Sequence, residues 1–219
     1  MAAALCVAVA ILVAIVAVFT GRRRRRHRQE MRQWADTNGW TFTPQPAVNW
    51  GSRLPGGNKR GITETLSTVL HGRRVTVAEY SVTDASDGTT TNTHWYVVTA
   101  VVLHRPLPAT QVEPRGRASR LRTKLFGPDE TATGNADFDR AFRIRTADPA
   151  ALPHWFPSQL ITAHLTGQVP PTWNVQGNEL LRWQPGRLQP VDIPRHVATL
   201  LPLADLVDGI TRSGGGAGA

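Results

Sequence analysis

The sequence contains very little cysteine and lysine. Cys6 is its only cysteine and lies within the first twenty residues. A disulfide framework, thiol catalysis and cysteine-ligated zinc are therefore excluded from the rest of the chain. Only Lys59 and Lys124 are lysines, so the other 23 of the 25 basic residues are arginine. Because this bias is general, no single arginine can be assigned to bidentate recognition from its identity alone.

Motifs for catalysis and ligand binding are also missing. The chain has no Gly-x-Ser-x-Gly, no phosphate loop and no Gly-x-Gly-x-x-Gly. Asp84 and Asp87 precede Gly88 but lack the alternating ligands and terminal glutamate of a calcium loop. The histidines after the basic block show no spacing of two or four residues, which a metal pair on a strand or helix would need; they are His71, His94, His104, His154, His164 and His196. We therefore expect no catalytic residue, cofactor or metal.

The first twenty residues carry no charged side chain. About nineteen apolar or small residues would form a helix of about 28 Å, close to the ~30 Å hydrocarbon thickness of a bilayer. This length predicts a transmembrane helix over residues 1–21. A secreted domain with a cleaved leader is the alternative, but no Lys or Arg precedes the apolar run, and Phe19 is bulky where a cleavage site needs a small residue.

A block of arginines follows the apolar run directly. Lys and Arg that flank a span stay on the cytoplasmic side, so the block predicts a single-pass protein of the cell membrane, with its N-terminus outside and its C-terminal domain in the cytoplasm. The block either acts only as a topology signal or also attracts anionic lipid headgroups of the bilayer. Its members are Arg22, Arg23, Arg24, Arg25, Arg26 and Arg28.

The formal charge of +9 belongs mainly to this block, because the rest of the chain carries only +3. This distribution argues against nucleic acid as a partner. One other basic segment is either a solvated loop or a surface for an acidic partner or a lipid. It comprises Arg115, Arg117, Arg120, Arg122 and Lys124.

The remaining patterns predict an α+β fold in which the transmembrane helix is followed by an antiparallel β-sheet domain with a few helices packed on it. We expect a basic helical stalk over residues 22–39, one soluble domain over 40–212 and a flexible tail over 213–219. Asn38-Gly39 is suited to ending the stalk helix. The spacing of Val197, Leu200 and Leu201 predicts a late helix.

Three strands are predicted to form a meander. Residues 62–70 and 75–83 alternate around His71-Gly72-Arg73 as a hairpin does, and 89–103 reads as a third strand that ends before Pro106-Leu107-Pro108. A second hairpin is predicted from residues 173–175 and 179–183 around Gln176-Gly177-Asn178.

The arrangement resembles a group of uncharacterised bacterial membrane proteins, best represented in actinobacteria. The resemblance rests on the apolar start, the basic flank, the β-rich middle, the stretch from Asp137 to Pro149 and the late Leu181-Arg182-Trp183. It implies the same architecture and no activity. Phe138 and Phe142, four residues apart, share a helical face and indicate packing, and Asp139 is placed to cap the helix or pair with an arginine.

Taken together, these patterns favour a membrane-anchored cytoplasmic module that works by binding an unknown protein partner, as an interaction or scaffolding domain. Confinement to a membrane would raise its effective concentration toward membrane partners. A membrane-tethered hydrolase or transferase without a recognisable motif stays open as the alternative.

Overall fold

The structure is a computed structural model that describes residues 21–23, 25–86, 90–116, 126 and 130–209. The chain divides into two compact units, Met1–Phe42 and Thr43–Ala219. The predicted flexible tail, 213–219, lies outside the described residues.

The first unit contains helical residues at 21–23 and 25–38, which we together call α1. Its end follows the expected pattern, because Gly39 has a φ of 72°, which suits the residue after a helix. The Asn38 side chain donates a hydrogen bond to the carbonyl of Trp34 at 2.8 Å. Trp34 also packs against Trp40 with ring centroids 5.6 Å apart.

The predicted transmembrane helix requires correction. Among the described residues, no helix is both long enough and apolar enough to cross a bilayer. The second unit's longest helix has sixteen residues and carries Arg195, Asp205 and Asp208, whose charges would resist burial in lipid. The expectation of a single-pass transmembrane protein is therefore wrong for the described part of the chain. The predicted span, 1–21, lies outside the described residues except for Gly21.

The fold is α+β and is built on one antiparallel sheet. Its strands are β1 (Thr41–Pro44), which straddles the two units, β2 (Ile62–Leu70), β3 (Arg73–Ser86), β4 (Thr90–Pro114), β5 (Phe142–Thr146) and β6 (Trp173–Pro185). The order is β1-β2-β3-β4-β5, with β6 also paired to β4. The α-helices described in the second unit are α2 (Ala136–Ala141), α3 (Leu152–Trp155), α4 (Ser158–Leu165) and α5 (Ile193–Asp208), and short 3-10 helices lie at Gly51–Arg53, Pro55–Gly57 and Pro190–Asp192.

The β2–β3 hairpin forms where the alternation predicted it. Leu70 lies opposite Arg73, which leaves a turn of two residues, His71 and Gly72. Their φ angles are 51° and 76°, so both occupy the left-handed region that a tight hairpin turn needs.

Two strands differ from the prediction. β4 does not end before Pro106 but continues to Pro114. Residues 173–185 do not form a hairpin but the single strand β6, which pairs with β4 along its length. The register shifts between Val102 and Leu107 of β4, and Gly177 lies opposite Leu107 with a φ of 58°. Gly177 therefore lies at an irregularity in the pairing of β4 with β6, and the chain does not reverse there.

Both faces of the sheet are covered. On one face, Trp50 and Leu54 of the irregular segment 45–61 pack on an apolar cluster that includes Tyr80, Val98 and Trp183. Alternate residues of a strand point to opposite faces, so Arg182 lies on the other side from Trp183. There, Arg182 donates a hydrogen bond of 2.7 Å to Thr199 of α5.

Candidate functional site

Charged side chains concentrate where β4 and β5 run side by side. Gln111 lies opposite Arg145, and Glu113 lies opposite Arg143. Because strand residues alternate between faces, these four side chains share one face of the sheet, and Arg115 continues the same spacing just beyond β4. The opposite face carries the buried Val112 and Ile144, which fixes the register.

Glu113 is the centre of this group and is only 5% exposed. Its Oε1 accepts a hydrogen bond from Arg145 Nη1 at 3.2 Å and lies 3.5 Å from Arg143 Nε. Gln111 Nε2 donates a hydrogen bond of 3.2 Å to the other carboxylate oxygen. One buried carboxylate thus holds two guanidinium groups from the neighbouring strand in place.

A second carboxylate, Glu130, lies at the outer end of the group. Its Oε2 is 2.8 Å from Arg115 Nη1, and its Oε1 is 3.7 Å from Arg143 Nη1. Arg115 Nε also donates a hydrogen bond to the carbonyl of Asp139 at 2.6 Å. The Glu130 and Arg115 side chains are 39% and 43% exposed, so this end reaches the solvent.

We call these five residues, Arg115, Arg143, Arg145, Glu113 and Glu130, the arginine network. It contains three cations and two anions, so it keeps one positive charge in excess. Arg143 Nε and Gln111 Oε1 are buried and have no hydrogen-bond partner among the described residues. The arrangement suits the binding of an anionic group such as a carboxylate or phosphate.

The structure places only part of the predicted basic segment. Arg115 belongs to the network, while Arg117, Arg120, Arg122 and Lys124 lie outside the described residues. The first arginine block is placed more fully, since it is exposed at the start of the first unit's helix, where Arg26 Nε lies 3.2 Å from Glu30. Its exposed members are Arg22, Arg23, Arg25, Arg26 and Arg28; Arg24 lies outside the described residues.

Sequence reasoning missed Glu113, Glu130, Arg143 and Arg145. A signal was present, because Gln111, Glu113 and Arg115 alternate at a period of two, as do Arg143 and Arg145. Recognising it needed the register between β4 and β5, which the local pattern does not supply.

Arg53 is a buried cation with a structural role. Its Nε and Nη2 donate hydrogen bonds to Asn174 Oδ1 at 3.0 and 2.8 Å, and its Nη1 lies 3.3 Å from Glu179. Burial lowers the pKa of Arg53 to about 10, and the charge of Glu179 partly offsets this effect, so Arg53 stays charged near neutral pH. These bonds attach the segment 45–61 to β6.

Arg73 forms a second buried clamp. It pairs with Asp208 and lies 3.4 Å from Asp205, both on α5. Asp208 also accepts a hydrogen bond of 3.1 Å from the backbone N–H of His104. Three parts of the fold, the start of β3, β4 and the C-terminal end of α5, are thereby joined.

His164 is buried in an aromatic cage. Its ring lies 5.5 Å from Phe138, 5.0 Å from Phe142 and 6.0 Å from Trp173, measured between centroids. Phe138 and Phe142 pack with ring centroids 5.0 Å apart. They do not share a helical face as expected, because α2 ends at Ala141 and Phe142 begins β5 with extended backbone. Within the described ranges, Asp139 neither caps α2 nor pairs with an arginine through its carboxylate; that carboxylate accepts hydrogen bonds from Thr133, and Asn135 caps the helix.

Among the residues that the structure covers, no group of three or more His, Cys, Asp or Glu could hold a metal ion. The two buried histidines contact uncharged side chains. His164 Nε2 accepts a hydrogen bond from Trp173 Nε1, and His196 Nδ1 is 3.1 Å from Gln184 Nε2.

No protein-family model matches the chain, and no curated protein matches it either. A similar solved structure is the crystal structure of the mycobacterial trehalose monomycolate transport factor A, TtfA. The two share 13% sequence identity with a TM-score of 0.53, and the match covers 85% of this chain and 97% of that one. At this identity the likeness shows the fold alone.

Proposed function

We propose that this protein is an interaction module of the bacterial cell envelope, which scaffolds a partner protein and contacts anionic lipid headgroups through the arginines of α1. The observation that carries the proposal is the exposure of five arginines within residues 22–28. Each basic residue near an anionic membrane surface contributes about 1 kcal/mol of attraction.

The same charges support a proposal for the side of the membrane. The cytoplasmic leaflet has the negative surface potential, so arginines that contact lipid headgroups are attracted to that side. We therefore propose that the protein works on the cytoplasmic side of the envelope. Its likeness in fold to a protein named as a transport factor, and not as an enzyme, supports a binding role.

Flotation with lipid vesicles tests the lipid contact. The full-length chain should float with vesicles of phosphatidylcholine that contain phosphatidylglycerol, and more weakly with phosphatidylcholine alone. Changing the five exposed arginines to glutamine should abolish this difference. The matched control removes five exposed cations of the second unit, by changing Lys59, Arg60, Arg74, Arg140 and Arg195 to glutamine. If both variants lost flotation equally, or if phosphatidylglycerol had no effect, the proposal would be refuted.

A further inference from the structure

At the solvent-exposed end of the arginine network, the carboxylate of Glu130 from the same chain occupies a position where an external anion could bind. Arg115 and Arg143 come from different segments and converge on Glu130, at 2.8 and 3.7 Å. Glu130 belongs to neither strand, because it lies between β4 and α2. We propose that Glu130 is an intramolecular stand-in, and that an acidic segment of the partner protein replaces it on Arg115 and Arg143.

The two guanidinium groups are prepared for such an exchange. Arg143 forms an ion pair with the buried Glu113, and Arg115 donates a hydrogen bond to the Asp139 carbonyl. When Glu130 leaves, these contacts remain, so little side-chain entropy is lost as the new carboxylate binds. Paired guanidinium groups match the planar geometry of a carboxylate.

Charge and exposure favour the exchange. Without Glu130 the network has three cations and one anion, which is an excess of two positive charges. Glu130 is 39% exposed, and an ion pair at that exposure contributes only about 0–1 kcal/mol. A partner segment with several carboxylates can therefore compete with it.

The inference rests on the proposed function, since it names the chemistry of the partner that the module binds. Its test uses a fluorescein-labelled hexaglutamate peptide and the full-length chain, with fluorescence anisotropy as the readout. Glu130→Gln should tighten binding by about threefold, because it removes the competing carboxylate. Arg115→Gln and Arg143→Gln should each weaken it by about tenfold and reduce its salt dependence.

The matched control is Arg140→Gln, which removes one exposed arginine that pairs with Asp137 on α2. All variants keep the arginines of α1, so the contribution of those arginines to peptide binding cancels in the comparison. Thermal unfolding should show which variants remain folded. If Arg143→Gln unfolds, the half-exposed Arg115 and Glu130 still carry the test.

Two results would overturn the inference. The first is a Glu130→Gln variant that binds the peptide no better than the wild type. The second is an Arg143→Gln or Arg115→Gln variant that loses binding to phosphatidylglycerol vesicles as much as to the peptide, which would assign the site to lipid headgroups. Failure of the lipid contact at α1 is a separate result, because it appears only in the vesicle assay and only with the α1 variant.

Discussion

The indole Nε1 of Trp173 donates a hydrogen bond of 3.0 Å to Nε2 of His164 inside the aromatic cage. This bond fixes the protonation state of the ring, since Nε2 can accept only when it carries no proton. His164 is 3% exposed, and burial lowers its pKa from 6.5 to about 4. The folded protein therefore holds this histidine neutral, at a pH where the unfolded chain would protonate it.

The first prediction concerns stability in mild acid. The unfolded state binds a proton at His164 below a pH of about 6.5, whereas the folded state does so only near 4. The free energy of unfolding is therefore fully retained above pH 6.5 and falls as the pH drops toward 4. Linkage gives a loss of about 2 kcal/mol between pH 7 and pH 5. Chemical denaturation at several pH values measures this slope.

His196 adds to the same slope, since burial and then the charge of Arg182 lower its pKa as well, while Asp192 opposes the shift. Replacing His164 with Gln should flatten the slope without abolishing it. His154→Gln, at an exposed histidine near the end of α3, is the control and should leave the slope unchanged. An unaltered slope in His164→Gln would contradict the assignment.

The second prediction concerns the clamp between Arg73 and α5. Arg73→Met should lower the free energy of unfolding by about 3–5 kcal/mol, because the Asp208 carboxylate would then stay buried without its cation. Arg74→Met is the matched control: the neighbouring arginine is exposed, and its loss should change stability by no more than about 0.5 kcal/mol. Urea denaturation gives both values.

A double variant separates charge from packing. Adding Asp208→Asn to Arg73→Met removes one unpaired carboxylate, so part of the lost stability should return. If the double variant were as unstable as the sum of the single variants, the cost would come from packing and not from the unpaired charge.

The sequence predicted local structure well where one short segment decides it. The β2–β3 hairpin follows from strict alternation on both sides of a turn that contains Gly72, and both features lie within about twenty residues. β6 shows the limit of the same reasoning. Gly177 between two apolar runs has the pattern of a turn, yet it serves a bulge, because residues 173–185 find a single long partner in β4.

The prediction that β4 ends before Pro106 was wrong for a related reason. Proline ends a strand when its missing N–H interrupts the ladder. Here the ladder between β4 and β6 is already interrupted between Val102 and Leu107, and Pro106 is exposed. The proline therefore costs no ladder hydrogen bond to β6, and β4 continues past it. Only the pairing with a segment seventy residues away decides this outcome.

The arginine network was hidden by the same distance. Arg115 stood out because it begins a basic run, but Glu113 and Arg143 are thirty residues apart and meet only through the strand register. The net charge of the chain also gave no sign of the arginine network. The excess of +3 outside the first arginine block describes the whole remainder of the chain and does not show that several of its carboxylates are buried beside arginines.

The third prediction concerns the segment 45–61. Arg53→Lys should lower the free energy of unfolding by about 1–3 kcal/mol, since lysine keeps the charge but cannot make the paired bonds to Asn174. Arg60→Lys is the control, because that side chain is exposed and should tolerate the change. Thermal unfolding measures the difference. Equal stability of the two variants would show that charge alone attaches the segment to β6.

The fourth prediction concerns the hairpin turn. His71 adopts a φ of 51°, a conformation that costs free energy for most residues with a side chain, whereas asparagine tolerates it best after glycine. Asn-Gly is also the preferred pair for a two-residue hairpin turn. His71→Asn should therefore raise the free energy of unfolding by about 0.5 kcal/mol. Gly72→Ala, at a φ of 76°, should act in the opposite direction, since the added Cβ meets no other atom within 4 Å but makes this backbone conformation unfavourable. The pair of variants tests the turn geometry itself, because a turn without left-handed residues would respond to both changes in the same way or not at all.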